Sequence, residues 1–507
     1  MRPKWDQLNR RVINLMQKGR LEEALEPARR AVALAEEDNG GDRLHLAVSL
    51  NNLGELHHGL DQFEAAEAAL KRSIAISTSE LGKNHPEVGD SLANLAELFV
   101  TQARYEEAIP LLERVLVLRE KEKNAVAAVT AALNSLASAH EAMGDTAAAR
   151  PLLERCNGML EAALGDGRPD LGPVMTRLGL IAWQERRLAD AESYFRRTLS
   201  LYEQTIGPVH PEFATTLSHL SDVYLANGLI AAAEPFMQQA LEIRRETLPE
   251  HHPDIAASLN QLALLYQAKG QPNKVEAMLG AALEVCVHAY GDSHPATAQV
   301  RNSLGEHNLN LGRHQAAEPL FKAALDARRA CLGEDHPAVA QSLNNLAMTY
   351  TCKTAYAEAE SMHQHALGIR RRAFGPEHPA TTQSLDNLAA LYRAQNRPED
   401  AEAMLKQSLT IWEASAGKTH PAVAQCHHNL GTLYAAVGRY PEAERALVSA
   451  RKILEEALGT DAAQLATVFE SLSQVCEEMG KTIEAKEFAA RAHKILKPEQ
   501  MRKPQNV

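Results

Sequence analysis

Aromatic residues are scarce, at 5% of the 507 residues, with three Trp and nine Phe. Apolar residues still reach 45%. That mixture fits close-packed helices built on Ala and Leu rather than a sheet core. Cysteine is sparse too: Cys156, Cys286, Cys331, Cys352, Cys426 and Cys476 stand far apart, with no C-x-x-C pair. This spacing excludes a disulfide framework or a zinc site, and the thiols are expected to pack as small apolar groups in a reducing compartment. Basic charge has no excess. Lys and Arg total 53 against 65 Asp and Glu, a net charge of −12, so phosphate neutralisation and general nucleic-acid binding are not expected. No apolar run approaches the roughly 20 residues that span a bilayer. The opening stretch, MRPKWDQLNRRVINLMQKG, lacks the apolar segment of a signal peptide. A cytoplasmic chain without a membrane partner is expected.

Catalytic signatures are missing as well. Gly417-Lys418-Thr419 resembles the end of a phosphate loop, but its first glycine would fall at Trp412 and no strand precedes it. Gly480-Lys481-Thr482 fails likewise. The histidine pairs His57-His58, His251-His252 and His427-His428 lie on adjacent residues, which point in different directions on a helix, so no metal is expected. Arg370-Arg371-Arg372 is read as a solvated basic face at a helix end, favourable to the helix dipole. No cofactor is called for, and an enzyme is not expected.

What is present is a repeat. His-Pro occurs at His85, His210, His252, His294, His336, His378 and His420, and from His210 onward each step is 42 residues. Self-similarity at such a period marks a repeat array. Twelve copies, starting near residues 1, 43, 85, 126, 168, 210, 252, 294, 336, 378, 420 and 462, account for 1–496. A polar tail at 497–507 follows, where disorder is expected.

Each copy predicts two antiparallel helices. In the ninth, Leu343, Leu346, Ala347 and Tyr350 form one apolar stripe, and Ala359, His363, Ala366 and Leu367 a second. The turn between them falls at Lys353-Thr354, where sister copies carry Gly144, Gly228, Gly270, Gly312, Gly438 and Gly480. Most copies fill the slot of His363 with an apolar residue (Leu112, Phe195, Met237, Phe321, Leu405). A glycine closes most copies (Gly82, Gly165, Gly207, Gly291, Gly333, Gly375, Gly459), placed to cap the second helix in the left-handed conformation. His then caps the next first helix, with Pro at its first turn, where a missing N–H costs nothing. Arg168-Pro169 is the variant of His-Pro in the fifth copy. Neither helix can bury its stripe alone, so stability is expected to be a sum of nearest-neighbour terms.

Leu-x-x-Leu-Ala/Gly-x-x-Tyr in the first helix and Ala-x-x-x-apolar-x-x-Ala in the second resemble the tetratricopeptide repeat. The longer unit, with His-Pro, Leu-Asn-Asn-Leu-Ala, Tyr-x-Glu-Ala-Glu and Ala-Leu-x-Ile-Arg, is similar to repeats of the kinesin light chain and nephrocystin-like group. The coiled-coil segment of kinesin light chains has no counterpart here, so a motor role is not implied. The resemblance implies an all-α, right-handed superhelical solenoid of about twelve antiparallel helix pairs, whose concave groove is lined by the first helices and binds peptides or proteins.

On that resemblance, the inward positions of repeats 7 to 11 form a band rich in amides: Asn260, Gln261, Asn302, Asn344, Asn345, Asn387, Arg393, His428 and Asn429. Amides donate and accept, so they can grip the backbone of an extended peptide. The residues carried over from the Leu-Asn-Asn-Leu-Ala motif are Asn52, Asn94, Asn345, Asn387 and Asn429. The same asparagines could bridge adjacent repeats without any ligand. Arg177 with Trp183 is a secondary candidate, against a plainer role for Trp183 as a filler between repeats. The leading expectation is a scaffold or adaptor, and the alternative is a self-assembling solenoid whose ends stack.

Overall fold

The computed structural model describes residues 2–37, 43–122, 125–164, 170–460 and 462–496. Gly165, Arg168, Pro169 and the tail at 497–507 lie outside them. No strand occurs among the described residues, and 24 α-helices run in consecutive pairs. None of these helices is long and apolar enough to cross a membrane. The chain falls into two compact units, Met1–Thr247 and Leu248–Val507, where the repeat pattern alone suggests one uninterrupted array.

In the N-terminal unit the first helices of repeats 1 to 6 are Arg2–Gln17, Arg43–Gly59, Pro86–Thr101, Val126–Ala142, Leu171–Gln184 and Pro211–Ala226. In the C-terminal unit those of repeats 7 to 12 are Pro253–Ala268, Pro295–Asn310, Pro337–Cys352, Thr382–Ala394, Pro421–Ala436 and Gln464–Glu478. Within each unit, every pair packs on the next.

All seven His-Pro histidines cap as the sequence suggests. His336 lies in extended backbone and its Nδ1 accepts from the Ala338 N–H at 3.1 Å, with Pro337 at the first turn. The other six repeat this bond. Repeat 10 departs after the cap. Pro379–Thr381 forms a short 3-10 turn before its first α-helix. There the Thr381 and Thr382 hydroxyls donate to the carbonyls of His378 (2.8 Å) and Pro379 (2.7 Å), and such local bonds compete with helical ones.

The closing glycines differ from expectation. Gly333 has φ 83° and ψ 162°, which is mirror-image extended backbone rather than the left-handed helical region. Mirror-image extended backbone is nearly closed to any residue with a Cβ. The turn inside each pair does use positive φ. Thr354 adopts it at φ 59°, where sister repeats place glycine.

In repeat 9 the first helix buries Val339, Leu343, Leu346 and Ala347, and the second, Tyr356–Phe374, buries Ala359, Ala366, Leu367 and Ile369. His363 is also buried, at 1% exposure. Cys156, Cys286, Cys426 and Cys476 pack as small core groups, whereas Cys331 and Cys352 are exposed.

Candidate partner-binding face

The first helix of repeat 9 presents Gln341, Asn345, Met348 and Thr351 on one face, and Met348 is 41% exposed. Asn344 is not part of that face. It is enclosed at 2% exposure. Its Nδ2 donates to Ser384 Oγ of repeat 10 (3.0 Å), and its Oδ1 accepts from His363 Nδ1 (2.8 Å). Burial pushes His363 down to about 4, so its ring is neutral at pH 7. Asn302 is likewise enclosed, at 0%. With its amide oxygen turned toward them, it accepts from Ser342 Oγ (3.0 Å) and Arg328 Nη1 (2.6 Å). These two candidates are therefore withdrawn from the open face. A buried amide needs its partners, and the next repeat covers both.

Arg370 does not lie on a solvated face either. Its guanidinium is buried, donating to Ser384 Oγ (3.1 Å) and Gln383 Oε1 (2.7 Å). Arg371 reaches Gln407 (3.3 Å), and Arg372 pairs with Asp335 (2.5 Å). The run bridges three neighbouring repeats rather than forming a solvated basic face.

Three carried-over asparagines bridge repeats while staying part-exposed. Asn52 donates to Asn9 (2.7 Å), Asn94 to Asn51 (3.1 Å) and Asn345 to Glu306 (2.6 Å). His428 faces Ser471 at 3.1 Å, and burial lowers its pKa. Asn429 accepts from Gln425 of its own helix (2.9 Å). Asn260 and Asn387 are half-buried and make no side-chain hydrogen bond among the described residues, Gln261 is half-buried, and Arg393 is exposed. Beside them Leu264 is 58% exposed. Arg177 is held by Glu141 (2.6 Å) and Asn134 (3.3 Å). Trp183 stands 39% exposed, which does not fit a filler enclosed between repeats.

A second set of bonds was hidden in the sequence, although its period was visible. Glu192, Glu318, Glu360 and Glu402 each accept from a tyrosine hydroxyl 32 residues later, on Tyr224, Tyr350, Tyr392 and Tyr434. A cation joins most of them: Lys353 on Glu318, Arg397 on Glu360 (3.1 Å) and Arg439 on Glu402 (2.7 Å). Bonds from Lys322 and Lys353 hold the Glu318 carboxyl down to about 2. Burial raises Glu402, but Lys406, Arg439 and Tyr434 outweigh it and hold it to about 2. The Glu and Tyr of the repeat signature are thus staples between successive pairs.

Glu444, Cys476 and Glu484 bring three possible ligand atoms together. Lys481 donates to Glu444 at 2.5 Å there, so an ammonium already neutralises that oxygen.

The tetratricopeptide repeat family pattern matches residues 8–79, 59–121, 128–204, 173–246, 212–286, 254–330, 296–370, 343–414, 401–456 and 427–497. No curated protein matches the chain. Similar solved structures include BtubC (BKLC) from P. vanneervenii, 27% identical with a TM-score of 0.40, covering 46% of this chain and 92% of that one. Another is a putative kinesin light chain from Podosopora anserina with nearly identical TPR-like repeats, 25% identical with a TM-score of 0.36, covering 41% of this chain and 98% of that one. The chain belongs to the tetratricopeptide repeat family.

Proposed function

We propose that this protein is a non-catalytic scaffold or adaptor that takes segments of partner proteins along the first-helix face of its C-terminal unit. The observation that carries this reading is the set of uncommitted polar groups in repeats 7 to 11. Asn260 and Asn387 make no side-chain hydrogen bond among the described residues, and Asn429 is engaged only within its own helix. Exposed Leu264 and Met348 lie on the same face. Amides can bond an extended backbone whatever its sequence, and the apolar side chains add area.

The test starts with a partner captured by the intact chain and then purified. The triple variant Asn260→Ala/Asn387→Ala/Asn429→Ala is expected to weaken binding by on the order of a hundredfold, at roughly 1 kcal/mol per lost bond. Its helicity and melting should stay near wild type. Unfolding of the variant would assign these residues to the scaffold instead. Self-association is the second reading, favoured by Ile483 (74% exposed) and Leu496 (59%) on the last helix. Light scattering decides it, because a mass independent of concentration counts against self-assembly.

A further inference from the structure

The N-terminal unit carries a different surface. Two recesses open along its first helices. One, of about 580 Å³, is lined by Ile13, Met16 and Leu70 together with Asn52, Glu55 and Glu97. The other, of about 470 Å³, lies between repeats 3 and 4, over Val100, Leu112 and Val115. Glu97 lines both. Volumes of this size suit the anchoring groups of a ligand.

The second recess has a cause in the sequence. Repeat 4 places Ala131, Ser135 and Ser138 where repeat 9 has Gln341, Asn345 and Met348. The shorter side chains leave a hollow above Leu112 and Val115, which themselves stay 4% exposed. In the first recess Ile13 is 41% exposed.

The charge between the recesses is mainly negative: His58 also lines the first, and Arg119, which lines the second, is paired with Asp90 and Glu122. Neither the Glu55 nor the Glu97 carboxyl forms an ion pair or hydrogen bond among the described residues. Burial, and then the neighbouring Glu97, push the Glu55 carboxyl above its ordinary value, and His58 only partly offsets them. Two carboxylates that repel one another beside apolar walls favour a cation placed between them.

We propose that this surface binds an extended peptide segment carrying two apolar side chains about four residues apart, with a Lys or Arg midway between them, so that all three point to the same side. The apolar side chains fill the two recesses, and the cation sits at Glu55 and Glu97. The spacing follows from geometry. The recesses are centred roughly one and a half helix spacings apart, about 12–15 Å at ~8–10 Å per packed helix. An extended chain covers that distance at ~3.3 Å per residue. The proposal rests on the scaffold reading only in taking first-helix faces as the receiving surface.

The probes are fluorescent peptides Leu-x-Arg-x-Leu, with Gly or Ser at x, and the same peptides with Glu in place of Arg or Ser in place of Leu. Fluorescence anisotropy on the full chain should favour Arg over Glu by about tenfold or more. In Glu55→Gln/Glu97→Gln that preference should collapse. Ala131→Gln/Ser138→Met, which covers the second recess, should weaken the Arg peptide about tenfold while melting stays unchanged. The triple asparagine variant of the C-terminal unit should bind it like wild type. Equal affinity for the Arg and Glu peptides, or no binding by the wild type at 1 mM peptide, overturns the proposal and leaves the scaffold reading to its own test. A mass that rises with concentration and falls back in Glu55→Gln/Glu97→Gln would make a second copy the occupant, and overturns it too.

Discussion

Repeats 8 and 9 fill the same slot in opposite ways. In repeat 8 Phe321 is fully buried across from Gly305, and a Cβ on that glycine would lie 2.6 Å from the ring. Repeat 5 uses the same pairing, Phe195 against Gly179, with the same 2.6 Å approach. In repeat 9 the slot holds His363, the opposing residue is Ala347, and the ring is fastened by Asn344. Repeat 8 thus obtains its fit from size alone, and repeat 9 from a hydrogen bond. The buried amide is common to both repeats, since Asn302 is as enclosed as Asn344. What the slot changes is its partner: Asn302 meets Ser342 and Arg328, whereas Asn344 also fastens His363.

The largest expected effect breaks the size match. Gly305→Ala should destabilise by about 1–3 kcal/mol, because the ring has no room to retreat in a packed core. Ala347→Gly in repeat 9 should cost only about 0.5–1 kcal/mol, from backbone entropy. Chemical denaturation of both variants checks the contrast, and equal losses would refute it.

Next is the polar version. His363→Leu should cost about 1–2 kcal/mol at pH 7 by leaving the Asn344 oxygen buried without a donor. The pH dependence has a definite sign. The folded value, about 4, lies below the ordinary 6.5. The histidine's contribution is therefore complete above pH 6.5 and lost as pH falls toward 4. His363→Leu lacks this loss, so melting curves of the two proteins should converge between pH 6.5 and 4.

Repeat 10 sharpens the comparison further. Asp386 stands where repeats 8 and 9 have Asn302 and Asn344. Its Oδ1 is buried with no partner, and burial pushes the carboxyl up to about 6 from 3.8. A raised carboxyl favours the fold below pH 3.8 and loses that advantage as pH rises through 6. Asp386→Asn should therefore raise stability by about 1 kcal/mol at pH 7, with the gain vanishing near pH 3.8. A gain independent of pH would point away from the carboxyl.

The smallest effect is in the turn. Thr354 is β-branched at positive φ. Thr354→Gly should gain roughly 0.5 kcal/mol, the relief of left-handed strain less the entropy of glycine. A measured loss would place Thr354 in contacts that outweigh its backbone.

Much of the architecture is legible in the sequence. The His-Pro caps, the turn positions and the apolar stripes rest on short-range rules, and a period of 42 residues repeats each rule often enough to be unmistakable. The conformation of the closing glycine was not readable in full. Sequence demanded positive φ but could not separate left-handed helix from mirror-image extended backbone, a choice set by where the next helix must begin. The candidate face was only half readable. Asn345, Asn387 and Asn429 look alike within the motif, yet Asn345 is tied to Glu306 while Asn387 makes no side-chain bond among the described residues.

By itself, then, the sequence determined the repeat, the pairing of helices and their caps, because each depends on residues a turn or two apart. Tertiary structure decided which polar groups remain for a partner. A side chain on one first helix is covered or left open by residues about 40 positions away, as Asn344 is by Ser384. Whether a recess opens depends on the size of what the neighbouring repeat places over it, as Ala131 and Ser138 do above Leu112 and Val115.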